Sequence, residues 1–208
     1  MTFAELQTKV RRKLNETSAI FWTDQDVVDA INEGYREMAD AAEFYERQAM
    51  VPSINGHTYY DLSLILPDTF LSPRRAYNPT TARWLTPADP LNLDLHTYVQ
   101  WELTEGEPES WLLRGNWWMG VWPKPDGDGV GMRLYYTAIP EDMANDDDEP
   151  AFDREFHEGL VEFAMSDLLS QKRETRKALL HWAEYIRYQE ALKAYVEGRI
   201  TLAQVRVL

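Results

Sequence analysis

Apolar residues recur at steps of three and four near both ends of this chain, across 1–48 and 151–198. Residues 49–140 instead carry turn formers, prolines and aromatics in short runs. A chain divided in this way has few ways to fold. Helices at both termini bury their apolar faces most simply against one another, which brings the chain ends together and makes the middle an insertion. The expected fold class is α+β. Amino- and carboxyl-terminal helices (1–48 and 151–198) form a helical bundle, an aromatic-rich antiparallel β-domain and acidic linker occupy 49–150, and 199–208 form a carboxyl-terminal arm.

The first helix is predicted over Phe3 to Leu14, with Phe3, Leu6, Val10 and Leu14 on one face and the basic triplet Arg11, Arg12 and Lys13 in its last turn, where cations favour the helix dipole. The second opens within FWTDQDVVDAINEG. Thr23 can cap it, Asp24 and Asp26 sit in its first turn, and Trp22 can pack on Val27. Val27, Ile31, Tyr35, Met38, Ala42 and Tyr45 then form an apolar stripe, while Asp29, Glu33, Arg36, Glu37 and Asp40 lie away from it. Near the other terminus, Phe156, Leu160, Phe163, Ala164 and Leu168 predict a helix from about Asp153. Leu179, Trp182, Ile186, Gln189 and Val196 trace another from about Thr175 to Glu197.

In the middle, Asn55-Gly56 predicts a hairpin turn, and Pro67, Pro73, Pro79, Pro87 and Pro90 break the next stretch of chain into short pieces. TYVQWEL, SWLLRG, WWMGVWP and MRLYYTAI are strand candidates of an antiparallel sheet or small sandwich. In WWMGVW, Trp118, Gly120 and Trp122 share one face and Trp117, Met119 and Val121 the other, so the strand is expected to be covered on both sides. Burying one large aromatic contributes about 4–6 kcal/mol gross. The tryptophans are therefore read as core or subunit interface. The alternative is a carbohydrate-recognition module with Trp111, Trp117, Trp118 and Trp122 on an exposed β-face.

Charge and motif content narrow the function classes. With 35 acidic against 21 basic side chains the formal charge is −14, which opposes a generic grip on nucleic-acid phosphates but suits a passage through which DNA slides without sticking. Cysteine is absent, which removes disulfides and thiolate metal sites. No apolar run reaches membrane-spanning length and the first residues do not resemble a cleaved signal, so no membrane partner is expected. Asp126-Gly127-Asp128-Gly129 fails as a calcium loop because Val130 and Thr137 stand at ligand positions; a hairpin turn is expected there. The anionic run from Glu141 to Glu149 reads as a hydrated linker. His57, His96, His157 and His181 form no ligand pair, and no nucleophile-elbow, phosphate-loop or dinucleotide motif occurs. Glu102, Glu105, Glu107 and Glu109, beside Trp101 and Trp111, are the one arrangement that could stand for a glycosidase cleft, and solvated glutamates are the simpler reading. No enzyme activity, cofactor or metal is expected.

Taken together, FWTDQDVVDAINEG, WPKPDGDGVGMRLYYTAIPEDM, FHEGLVEFAMSDLL and KALLHWAEYIRYQEALKAY, in this order and spacing, resemble the head-to-tail adaptor (connector, or head completion) proteins of tailed bacteriophages. The resemblance implies a structural virion protein, made in the bacterial cytoplasm, that forms a ring, commonly a dodecamer. Such a ring docks on the portal protein, receives a tail or nozzle protein and surrounds a channel for DNA passing without sequence-specific binding. It also implies a carboxyl-terminal arm that reaches a neighbour or the portal, here carrying Ile200, Leu202, Val205, Val207 and Leu208; the alternative is an arm folded back on its own subunit's bundle. Charge segregation adds Arg11, Arg12, Arg173, Arg176 and Lys177 as candidates to meet acidic patches of a neighbour.

Overall fold

The computed structural model describes residues 1–16, 19–96 and 101–205. The chain is α+β and divides into two compact units, one made of 1–45 with 139–208 and the other of 46–138.

The first unit contains α1 (Phe3–Lys13), α2 (Asp24–Ala42), α4 (Glu158–Gln171) and α5 (Thr175–Val205), with a 3-10 turn at Arg154–Phe156 before α4. Both early helices start at capping boxes. Thr2 and Glu5 exchange side-chain-to-backbone hydrogen bonds at α1, as Thr23 and Asp26 do at α2, which satisfies amide groups that the first turn leaves unpaired. Phe3, Leu6, Ile31, Met38, Leu160, Leu168 and Tyr185 are among the side chains of one shared apolar core. Nearly every residue of α4 from Gly159 to Leu169 is buried, so this helix is covered all round by its neighbours. Two missing side chains permit the close approach. A Cβ on Gly34 would lie 2.8 Å from Phe163 Cδ1, and one on Gly159 would lie 2.6 Å from Met38 Cε and 2.8 Å from Tyr188 Cβ.

Two details depart from the sequence reading. The helix expected from Asp153 begins at Glu158, and α5 continues through Gly198 to Val205 where a helix end and a separate arm were expected. The register of α5 also differs. Its fully buried stripe is Ala178, Tyr185 and Leu192, while Leu179 and Trp182 are 62% and 42% exposed. The helix is apolar on two sides, so spacing alone does not reveal which side enters the core.

The segment expected to be a hydrated linker is fastened into this unit. Phe3 and Ala4 donate their amides to the carbonyls of Asp148 and Asp146 at 2.8 and 3.1 Å. Buried Asn32 donates to the Met143 carbonyl at 3.1 Å and accepts from the Met143 amide at 3.0 Å. Arg36 pairs with Asp142 at 2.6 Å, and Asp148 accepts the amides of Ala144 and Asn145. Acidity here accompanies a backbone held by hydrogen bonds.

In the second unit lie α3 (Pro90–His96) and seven strands: β1 (Glu46–Ser53), β2 (Tyr59–Asp61), β3 (Phe70–Asn78), β4 (Arg83–Pro87), β5 (Ser110–Arg114), β6 (Trp118–Trp122) and β7 (Gly129–Ala138). They form one sheet in the order β1-β7-β3-β4-β5-β6-β2. The expected antiparallel sheet is mixed, because β4 pairs with β5 in parallel. The intervening residues 88–109 include α3, enough chain for the return crossover that parallel pairing requires. Neither expected hairpin occurs. Asn55-Gly56 is a turn, yet β1 pairs with β7 and β2 with β6; the Asp126-Gly127-Asp128-Gly129 segment likewise joins two strands that are not neighbours. Part of TYVQWEL, residues 97–100, lies outside the described residues, and Trp101–Leu103 is a 3-10 turn. Sequence reasoning also missed β3 and β4, which lie among the prolines.

Strand β6 is not covered on both sides as expected. Met119 and Val121 are fully buried, but Trp118 is 47% exposed and Trp117, just before the strand, 36%. The β-unit core draws on Trp111, Leu112, Met132, Leu134 and Tyr136 as well. The tight spot is Gly120, where a Cβ would meet Leu112 Cδ1 at 2.7 Å, so the Trp118 face lacks room for a bulky centre.

Candidate functional site

The basic triplet of α1 divides by role. Arg11 is buried, with its guanidinium donating to the Trp22 carbonyl at 2.9 Å and to Asp24 at 2.6 Å, and with Glu16 at 3.8 Å. It therefore ties the α1–α2 connection within the subunit. Lys13 pairs with Glu158 at 2.8 Å and with buried Glu162, and Lys9 also pairs with Glu158. His181 Nδ1 lies 2.6 Å from the other Glu162 oxygen. Glu162 thus joins α1, α4 and α5. Burial alone would raise the Glu158 carboxyl, but the two lysines hold it below the ordinary range.

Arg12 remains exposed and without an ion pair among the described residues, as do Arg173 and Arg176. Lys177 pairs with Glu174 at 2.6 Å on the same helix. The structure thus groups Arg173, Arg176 and Lys177 at the start of α5. Of the apolar arm candidates, Ile200, Leu202 and Val205 lie in the last turns of α5, and Val207 and Leu208 lie outside the described residues.

The aromatic residues do not assemble into one platform. Trp111 is buried, Trp122 half-buried, and both bury an indole N–H without a hydrogen-bond partner among the described residues. Trp117 packs against Phe70 with ring centroids 5.3 Å apart. A cluster that sequence reasoning missed places the Arg75 guanidinium 4.6 Å from the Trp84 ring and 4.8 Å from Tyr135, so the half-exposed Trp84 already has an internal cation–π partner. MRLYYTAI is legible as a strand, but Arg75 and Trp84 come from β3 and β4, so the group is complete only once those strands are placed.

Three of the glutamates near Trp101 and Trp111 have separate partners. Glu102 accepts from the Tyr59 hydroxyl at 2.6 Å; burial, and next this carboxylate, push that phenol up to about 12. Glu105 pairs with Lys124 at 3.1 Å and Glu107 accepts from Asn78 at 2.6 Å. A cavity of about 190 Å³ lies beside Glu107 and the Pro125–Gly129 segment, where Asp128 accepts the Asn55 amide. Among the described residues no group of three or more His, Cys, Asp or Glu side chains is placed to hold a metal ion.

The described surface carries arginines without an ion pair among the described residues and large exposed apolar side chains. A family model for the SU10 adaptor protein matches residues 1–207. The chain belongs to the SU10 adaptor protein family. Membership supports a phage structural adaptor and a component of the virion. No curated protein matches the chain. Among the described residues, no helix of this SU10 adaptor family member is long and apolar enough to cross a membrane.

One buried titratable group in this family member sets a pH dependence. His157 lies in the helical unit, with Nε2 donating to the Phe152 carbonyl at 2.9 Å and the Met1 ammonium 2.7 Å from Nδ1. Burial first, and the Met1 charge with it, depress the imidazole below its ordinary value of 6.5. The neutral ring therefore contributes stability that is fully present above pH 6.5 and is lost as the pH falls through the depressed folded value. Melting followed by circular dichroism from pH 7.5 to 5 should show a downward slope that is shallower in His157→Gln.

Proposed function

We propose that the chain is one subunit of an adaptor ring that joins the portal of a tailed phage capsid to its tail or nozzle around the DNA channel. The observation that carries this reading is the family match, which spans residues 1–207 and so takes in both chain ends and the inserted sheet. The helices of the two chain ends share a core, which supports a bundle as the body of each subunit. The ring is a dodecamer when assembled. An excess of 35 acidic over 21 basic side chains suits a wall past which DNA moves without being held. Partner contacts come from the exposed cations Arg12, Arg173, Arg176 and Lys177 and from the carboxyl-terminal residues Ile200, Leu202, Val205, Val207 and Leu208, which reach the portal or a neighbouring subunit.

The test is to mix the purified chain with portal rings from the same phage and image the product. Additional end-on density beneath the narrow end of each portal ring is expected. Portal rings left bare at saturating concentrations of the chain would overturn the proposal.

A further inference from the structure

Helix α5 carries a second apolar stripe that its own subunit does not cover. Arg176, Leu179, Leu180 and Ala183 follow helical spacing and are all exposed, Leu179 at 62% and Leu180 at 66%. At 100° per residue this stripe lies about half a turn from the inner stripe of Ala178, Tyr185 and Leu192. Two large leucines on the outer side of a helix whose inner side is already packed leave apolar area for a partner.

The charges beside the stripe point the same way. Arg173 and Arg176 have no ion pair among the described residues, and the first turn of α5 contains no acidic residue. Arg176 in the first turn of α5 opposes the helix dipole, so its placement does not serve the stability of the subunit, whereas Arg173 follows the carboxyl end of α4. Helix α2 presents the complement. Asp29, Glu33, Glu37 and Asp40 are exposed along one side, at spacings where like charges repel. Arg36 answers Glu33 at 2.5 Å, while Glu37 and Asp40 have no ion pair among the described residues. Helix α2 packs on α5, and Glu37 of the ridge lies near the inner side of α5, where burial, then this charge, raise the Tyr185 phenol. The outer stripe therefore points away from the ridge within one copy.

We infer that the outer stripe of α5, with Arg173 and Arg176, docks on the acidic α2 ridge of a second copy of this chain. Different surfaces meet, so each contact leaves one of each kind free, the head-to-tail arrangement that a closed ring requires. The inference rests on the adaptor-ring reading and names the surfaces that would build it.

Charge reversal tests it, read by imaging chains assembled on portal rings. Arg173→Glu with Arg176→Glu should reduce assembled rings by at least about tenfold, because like charges then face each other. Glu37→Lys with Asp40→Lys should do the same, and one chain carrying all four changes should regain assembly. The reversed residues are exposed, and a glutamate at 176 favours the α5 dipole while one at 173 opposes that of α4, so melting temperatures should change little. Intact rings from either pair of reversals, or no recovery in the fourfold variant, would overturn the inference and leave the adaptor reading standing. Bare portals with the unaltered chain would remove both. Leu180→Ser supplies a charge-independent check, since rings unaffected by it would show that the apolar stripe is not in the contact.

Discussion

Tyr185→Ala is expected to destabilise the helical unit by about 3–5 kcal/mol. Leu179→Ala, six residues earlier on the same helix, should cost less than about 1 kcal/mol. The contrast is burial. Tyr185 is fully inaccessible, its ring lies 5.0 Å from Phe163 and 5.2 Å from Trp182, and its hydroxyl accepts from Gln189 at 2.9 Å. Truncation removes a large buried ring where α5 crosses α4, and Gly34 and Gly159 already draw α2 and α5 onto α4 so closely that the helices have little freedom to collapse into the void. Leu179 gives up mostly solvent-exposed surface. Tyr185→Phe isolates the hydroxyl and should cost about 1 kcal/mol, since Gln189 is near enough to the surface to find water. Urea unfolding of the intact chain, followed by far-ultraviolet circular dichroism, measures all three. Equal losses at positions 179 and 185 would contradict the assigned register of α5.

Replacing Asn32 by Ala should cost about 2–4 kcal/mol, because two backbone groups lose their partner together. Asn32 both donates to and accepts from Met143, and all three groups are removed from water. An alanine leaves the Met143 amide and carbonyl buried and unpaired. The damage should spread locally, because the same stretch is held by Arg36 on Asp142 and supplies the carbonyls that receive the first amides of α1. Amide exchange at Met143 should accelerate strongly in the variant, with Phe3 and Ala4 affected next. Unchanged protection at Met143 would show that the Asn32 bridge does not hold this segment.

These two positions show how legible the fold was. Local signals translated directly: Thr23 with Asp26 starts α2 where the capping pattern placed it, and Trp22 is buried in the same core as Val27. A cap needs only residues three apart, so no distant part of the chain has to be known. Strand pairing needed what sequence spacing cannot supply. The Asn55-Gly56 turn is present, but whether its flanking strands pair depends on competition from β7 and β6, which lie about 60 to 80 residues further along the chain. The basic triplet of α1 divided only when the neighbours of each side chain were in place, Arg11 beneath the Trp22 carbonyl, Lys13 on Glu162 and Arg12 in water.

From sequence alone came the class of the chain, its helical ends and β-rich centre, the start of α2, the acidic balance, and the resemblance to phage adaptors. All of these depend on composition, short-range periodicity or the order of segments. Only the tertiary structure decided which side of α5 is inside, which tryptophans are buried, which strands are neighbours and which arginines lack an ion pair among the described residues. Each of those is a choice between nearly equivalent local options, and contacts between residues far apart in the chain make it.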